Sequence, residues 1–249
     1  MDMDSGRGDG SGPSATDGHD WPTTDVELLK RAWRNEKAAP EILKYEVDLI
    51  RRVTELTAYV QETVDELMEN GVDPLNVSLM EMDLERTLFL VKSYLRIRLQ
   101  KIEKYMFQIQ RSADLWNRLS RKEQNFAKRF KAVYVLCAED MEKHLEQSVL
   151  SKLPDRYKSH LRQSITSEED DMVPEPQLDT YVFCRSKSFL GSFQLDERQL
   201  DILDLILSRR LNFNIFGEGE PIDLEANELY GIRYRSIKPL IESGQMDLV

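Results

Sequence analysis

From Ser78 to Phe107 the chain has no Gly or Pro and sets long apolar residues between arginines and lysines. Met82, Phe89, Leu95, Leu99, Ile102, Tyr105 and Met106 recur at threes, fours and sevens, which predicts a helix. Leu84, Leu88, Leu90 and Ile97 widen its apolar stripe beyond one narrow face. At about 1.5 Å per residue such a helix spans roughly 45 Å, and an apolar surface of that length predicts contact with a second subunit.

Helical spacing also marks three other segments. Thr24 and Glu27 form a capping box that opens a first helix running to about Glu36, and Pro40 marks the break after it. A second helix is predicted over 41–69 from Ile42, Leu43, Leu49, Ile50, Val53, Leu56, Val60, Val64, Leu67 and Met68, with Asn70-Gly71 as its stop. The short link GVDPLN makes it an antiparallel hairpin with the central helix. A further capping box, Ser120 with Glu123, opens a helix through Phe126, Phe130, Tyr134, Cys137, Met141, Leu145 and Val149 that ends near Ser151.

The pattern changes after Pro154. The acidic run and prolines of ITSEEDDMVPEPQ read as a linker over 154–176, with Ser167 as a candidate phosphate acceptor or simply a solvated residue. Beyond it TYVFCR, LYGIRYR and QMDLV alternate as strands around a turn at Ser243-Gly244. The fold class is therefore α+β, mainly α: an N-terminal helical bundle over 23–153 and a small C-terminal β domain over 177–249. An insert at about 190–210 interrupts the β domain, with Leu200, Leu203, Ile206 and Leu207 at helical spacing. Residues 1–22 are Gly, Ser and Asp with little to bury, which predicts a disordered tail.

Composition narrows the function. The 249 residues are 41% hydrophobic and 32% charged, a soluble globular profile, and no apolar run is long enough to span a membrane. No basic-then-apolar pattern opens the chain, so secretion is not expected. Cys137 and Cys184 are far apart in apolar patterns, which predicts two buried free thiols in a reducing compartment. A net charge of −11 argues against a chain that holds nucleic acid by its phosphates. Lys92, Arg96, Arg98, Lys101 and Lys104, with Tyr94 and Tyr105, are the candidates for a local nucleic-acid surface; their other reading is ion pairing along an apolar stripe.

No phosphate cradle, dinucleotide fingerprint, zinc-protease helix or nucleophile elbow occurs. His19, His144 and His160 have no partner at ligand spacing. The expectation is no catalytic residue, no metal and no cofactor.

MEMDLERTLFLVKSYLRIRLQKIEKYMF at 80–107 resembles the central helix of the Sld-five family of GINS subunits. LLKRAWRNEKAAPEIL at 28–43 is similar to that family's opening helix and turn, with Trp33, Asn35, Glu36, Pro40 and Glu41 in the pattern's positions. PEPQLDTYVFCR at 174–185 and IRYRSIKPLIESGQMDLV at 232–249 resemble the entry and end of its β domain. The resemblance implies a nuclear, non-enzymatic scaffold in a heterotetramer with the partner-of-Sld-five one, two and three subunits. Through that complex it implies contact with the minichromosome-maintenance hexamer, the Cdc-forty-five protein and the leading-strand DNA polymerase. No membrane contact and little or no direct DNA binding are expected.

The candidate subunit-interface residues are Trp33 on the first helix and Tyr94, Leu95, Arg96, Arg98, Leu99 and Ile102 on the central one. Tyr181, Ile241, Leu248 and Val249 join them from the β domain, the last two because an apolar chain end predicts a docked terminus. Trp33 and Trp116 read either as interface anchors or as packing of the bundle, and Arg96 and Arg98 either as forks at a subunit boundary or as internal pairs.

Overall fold

A computed structural model of the chain describes residues 24–71, 73–148, 173–193 and 222–249, with the single positions 152 and 154. The expected tail, Ser167, His160, most of the expected linker and positions 194–210 of the expected insert lie outside the described residues.

The helical part comprises α1 (Asp25–Ala38), α2 (Val47–Glu69), α3 (Pro74–Lys104), α4 (Met106–Arg111), α5 (Ala113–Asn117) and α6 (Arg121–Ser148). The Thr24 hydroxyl accepts from the Glu27 amide at 3.3 Å, one half of the first capping box, while the Glu27 carboxylate pairs with Lys30 instead. Its counterpart is reciprocal: Glu123 N–H donates to Ser120 Oγ at 3.3 Å, and Ser120 N–H donates to Glu123 Oε2 at 2.8 Å. α3 begins earlier than periodicity predicts, because Asp73 caps it and Pro74 occupies the first turn. The short link between Glu69 and Pro74 returns it antiparallel along α2, and it also packs against α1 and α6.

Two boundaries differ from expectation for a physical reason. Residues 41–46 are not helical and α2 starts only at Val47. Their carbonyls, which a helix would need, are taken by cations: Leu43 O accepts from Arg98 Nη1 at 2.7 Å and Glu41 O from Lys101 Nζ at 2.8 Å. The long central helix breaks at Tyr105, where the chain turns through α4 and α5 to reach α6.

The C-terminal part is a three-stranded antiparallel sheet in the order β4–β1–β5, from β1 (Tyr181–Ser186), β4 (Leu229–Arg233) and β5 (Met246–Leu248). β1 alternates, burying Val182, Cys184 and Ser186, and Cys184 stands opposite both Tyr230 and Leu248. Burial pushes the Cys184 thiol up to about 12, so it stays protonated and inert. Cys137, by contrast, is exposed on α6 and not buried as expected. At the start of the expected insert, β2 (Gly191–Phe193) pairs antiparallel with β3 (Ile222–Leu224), so Gly191, Ser192 and Phe193 belong to a strand. Tyr234 and Arg235, expected to end a strand, open a helix instead, α7 (Tyr234–Glu242), which lays Tyr234, Ile237 and Ile241 on the sheet.

The two parts share a core. Ala39, from the link between α1 and α2, is buried among the β-domain residues, and Ala38 and Leu43 pack beside it. The β5 edge is also closed from α1: the Leu248 N–H, directed away from β1, donates to Asn35 Oδ1 at 2.7 Å.

Tyr94 in α3 and Tyr234 in α7 are both buried, and burial pushes their hydroxyls well above the usual phenol range. Above pH 10 the unfolded chain loses these protons and the folded chain keeps them, so stability is full below that pH and falls as pH rises further. In an alkaline titration, the last tyrosinate absorbance is expected to appear only together with loss of helical circular dichroism. Complete ionisation with the dichroism intact would contradict the burial of these two rings.

Candidate subunit interface

Contact surfaces are defined by what the chain leaves uncovered, and the buried residues come first. Arg98 is fully buried on α3 and spends all five N–H donors inside the chain. Nε donates to Glu123 Oε1 at 2.7 Å and Nη2 to Glu123 Oε2 at 3.2 Å, a bidentate fork across to α6. Nη1 donates to Glu36 Oε2 of α1 at 2.9 Å and to Leu43 O, and Nη2 also reaches Arg118 O at 3.3 Å. The rings of Tyr45 and Tyr94 lie 5.2 and 5.7 Å from the guanidinium carbon.

Lys101, one turn on, completes the cluster by donating to Glu36 Oε1 at 3.0 Å and to the Glu36 carbonyl. Two carboxylates meet two cations, so the buried node carries no net charge. Burial acts to lower the Arg98 pKa, but Glu36 and Glu123 outweigh it and hold the guanidinium above its ordinary value. Burial wins at Lys101, whose pKa is lowered despite Glu36.

This geometry corrects several expected contact residues. Tyr94, Arg98, Ile102, Ile241 and Leu248 are covered by this chain itself and have no surface to offer another subunit. Of the two readings for Arg98, the internal ion pair holds. Leu95 and Leu99 are half-buried against the clusters around Tyr94 and Ile102. Trp33 is half-buried and donates its indole N–H to Ser93 Oγ at 2.9 Å. Trp116 packs beside Ile109 and Leu115. Arg96, Tyr181 and Val249 remain exposed, with Arg233 over the Tyr181 ring at 5.4 Å.

Uncovered apolar surface lies elsewhere. On α3, Leu75, Leu79, Met82 and Phe89 are exposed, at 65% for Leu75 and 62% for Phe89. With Arg86 they step by four and three, the spacing of a coiled-coil seam. The buried residues Val77, Leu84, Thr87, Tyr94, Arg98 and Ile102 form a second seam turned toward the bundle. One helix thus carries two apolar faces, and the described residues cover only one. Sequence reading singled out neither Leu75 nor Leu79; the signal lay in that second four-three series running beside the first.

Among the described residues, no group of three His, Cys, Asp or Glu could hold a metal ion. A cleft of about 320 Å³ between α1, the 43–46 segment and α7 is lined by Lys44, Glu46, Asp114, Arg118 and Glu242. Arg118 pairs there with Asp114 and Glu242, both at 2.8 Å or less, so these three charged groups hold one another.

Residues 43–142 match the family model described as the GINS complex protein helical bundle domain, and 176–249 match the DNA replication complex GINS protein SLD5 C-terminus. The protein named DNA replication complex GINS protein SLD5 in Arabidopsis thaliana is 50% identical over 230 residues, covering 91% of this chain and 92% of its own. This chain belongs to the GINS SLD5 family. Relatives of the same name in Homo sapiens, 31% identical over 236 residues, and Dictyostelium discoideum, 28% over 233, cover 92% and 90% of it. Each is matched over at least 90% of its own length.

For an SLD5-family chain the opening segment now has a chemistry. Asn35 closes the β5 edge and Glu36 holds Arg98 and Lys101. Glu41 reaches α7, accepting from the Tyr234 hydroxyl at 3.0 Å and pairing with Lys238 at 2.9 Å. Arg98→Met leaves Glu123 buried without its cation and Glu36 with Lys101 alone, and is expected to cost about 3–5 kcal/mol in urea unfolding. Adding Glu123→Gln, which removes the orphaned carboxylate and leaves the Glu36–Lys101 pair in place, should recover part of that loss. A single substitution costing under about 1 kcal/mol would show that the node is not what holds α1 and α6 to α3.

Proposed function

We propose that this chain is a non-catalytic scaffold subunit of GINS, assembled with the three partner-of-Sld-five subunits into a nuclear heterotetramer that serves DNA replication. The observation that carries this reading is the outward seam of α3. A helix with Leu75, Leu79, Met82 and Phe89 in a row toward solvent has the form of half an interface. The names of the relatives, which place them in the GINS complex of DNA replication, support the identity of the partners. The working boundaries are a tail over 1–22, a helical domain over 23–153, a linker over 154–176 and a β domain from 177.

Within the replicative helicase the role is structural coupling. ATP hydrolysis belongs to the minichromosome-maintenance hexamer, and the GINS tetramer supplies a rigid surface that meets this hexamer, the Cdc-forty-five protein and the leading-strand polymerase during initiation and elongation. The alternative of a nucleic-acid surface on α3 is weakened by the structure. Arg98 and Lys101, two of its five cations, are spent on Glu36 and Glu123 inside the bundle.

The test is co-expression with the three putative partners, with only this chain tagged, and mass by light scattering. The expected species contains one copy of each subunit. Leu79→Asp with Phe89→Asp should leave the free chain folded and weaken its assembly by about 30-fold or more, the loss of at least one interface anchor. A monomer that ignores its partners, or a double variant that assembles normally, would contradict the reading.

A further inference from the structure

The first half of α6 carries a charge pattern that the bundle does not use. Between residues 115 and 138 the sequence has one carboxylate, Glu123, and it is buried on Arg98. Arg118 is engaged by Glu41, Asp114 and Glu242. Arg121, Lys122, Lys128 and Arg129 are exposed, and none has an ion pair among the described residues.

At about 100° per residue these four fall with Asn125 in one arc of about 120°, opposite Glu123, Ala127 and Phe130. Arg121 and Lys122 stand in the first turn, where the helix dipole disfavours cations. Further along, the same face turns apolar at Ala132, Val133 and Leu136, the last two 59% exposed.

We propose that this face of α6 docks an acidic amphipathic helix of another protein chain. Carboxylates of that helix lie over Arg121, Lys122, Lys128 and Arg129, and its apolar side chains lie over Val133 and Leu136. From 121 to 136 the surface is about 22 Å long, which suits a partner helix of about four turns. Arginine forks bind carboxylates two bonds at a time.

The adjoining aliphatic patch decides between a protein and a nucleic acid. A phosphate backbone makes no use of Val133 and Leu136, and the face presents no ring on which a base could stack. Trp116 is half-buried, with Lys128 Nζ 5.5 Å above it. The charge of −11 also repels a long polyanion, while a short segment feels mainly the cations within a Debye length of about 8 Å. The surface is on a different helix from the α3 seam, and the proposal does not depend on the subunit reading.

The probe is a fluorescein-labelled helical peptide about four turns long, with Glu along one face of its first half and Leu along that face of its second. Fluorescence anisotropy with the full chain compares it with a scrambled peptide of the same composition, a single-stranded oligonucleotide and a duplex. The ordered peptide is expected to bind at least about tenfold tighter than the scrambled one. Arg121→Glu with Lys128→Glu and Arg129→Glu should weaken it at least about tenfold with helical dichroism unchanged, and Leu136→Asp should weaken it as well. Absence of saturable peptide binding, equal binding of the scrambled peptide, or tighter and steeply salt-dependent binding of either oligonucleotide would overturn the proposal.

Discussion

A single buried guanidinium sets the arrangement of this chain. Arg98 enters from α3 and reaches α1 through Glu36, α6 through Glu123, the 41–46 segment through Leu43 O and the approach to α6 through Arg118 O. Buried ion pairs add little to stability compared with a well-packed apolar core, because desolvation cancels most of the Coulomb gain. Their directionality is what an apolar core lacks. Five donors in a fixed fork are all satisfied in this one arrangement, which ties α1, α6 and the segment between α1 and α2 to α3 in a defined register.

The same segment carries that order into the β domain. Its inner side is held by Arg98 and Lys101, which take its carbonyls, and its outer side presents Glu41 to Tyr234 and Lys238 of α7. Ala39 stands in the β-domain core and Asn35 closes the free edge of the sheet. The residues that fix the helices therefore also fix the sheet. Glu123 shows how tightly the roles are shared: one carboxylate caps α6 and anchors Arg98.

Much of the fold was legible in the sequence because helices of this length declare themselves by period and caps. The capping boxes at Thr24 and Ser120 opened the helices they predicted, and β1 alternated as read. α7 was missed because it is short, follows directly on β4 and contains Pro239. The start of α2 was placed too early because Ile42 and Leu43 continue its apolar period, although cations claim the backbone there. The contact residues were the least legible. Periodicity shows that Tyr94, Arg98 and Ile102 face something apolar, but not whether that neighbour is this chain or another. An arginine inside an apolar seam, between Tyr94 and Ile102, is itself the mark of a buried pair, while the parallel series at Leu75, Leu79, Met82 and Phe89 stays exposed.

The central claim is that the helical bundle and the β domain unfold as one unit because the segment around Glu41 ties them. Equilibrium unfolding in urea can follow each part separately: with Trp21 replaced by Phe, tryptophan fluorescence reports the bundle through Trp33 and Trp116, and pulsed thiol labelling reports the β domain through buried Cys184, with exposed Cys137 replaced by Ser. Coincident transitions in this protein, separated by Glu41→Ala so that Cys184 reacts first, are the predicted result. Labelling of Cys184 well before the tryptophan transition, with Glu41 intact, would contradict it.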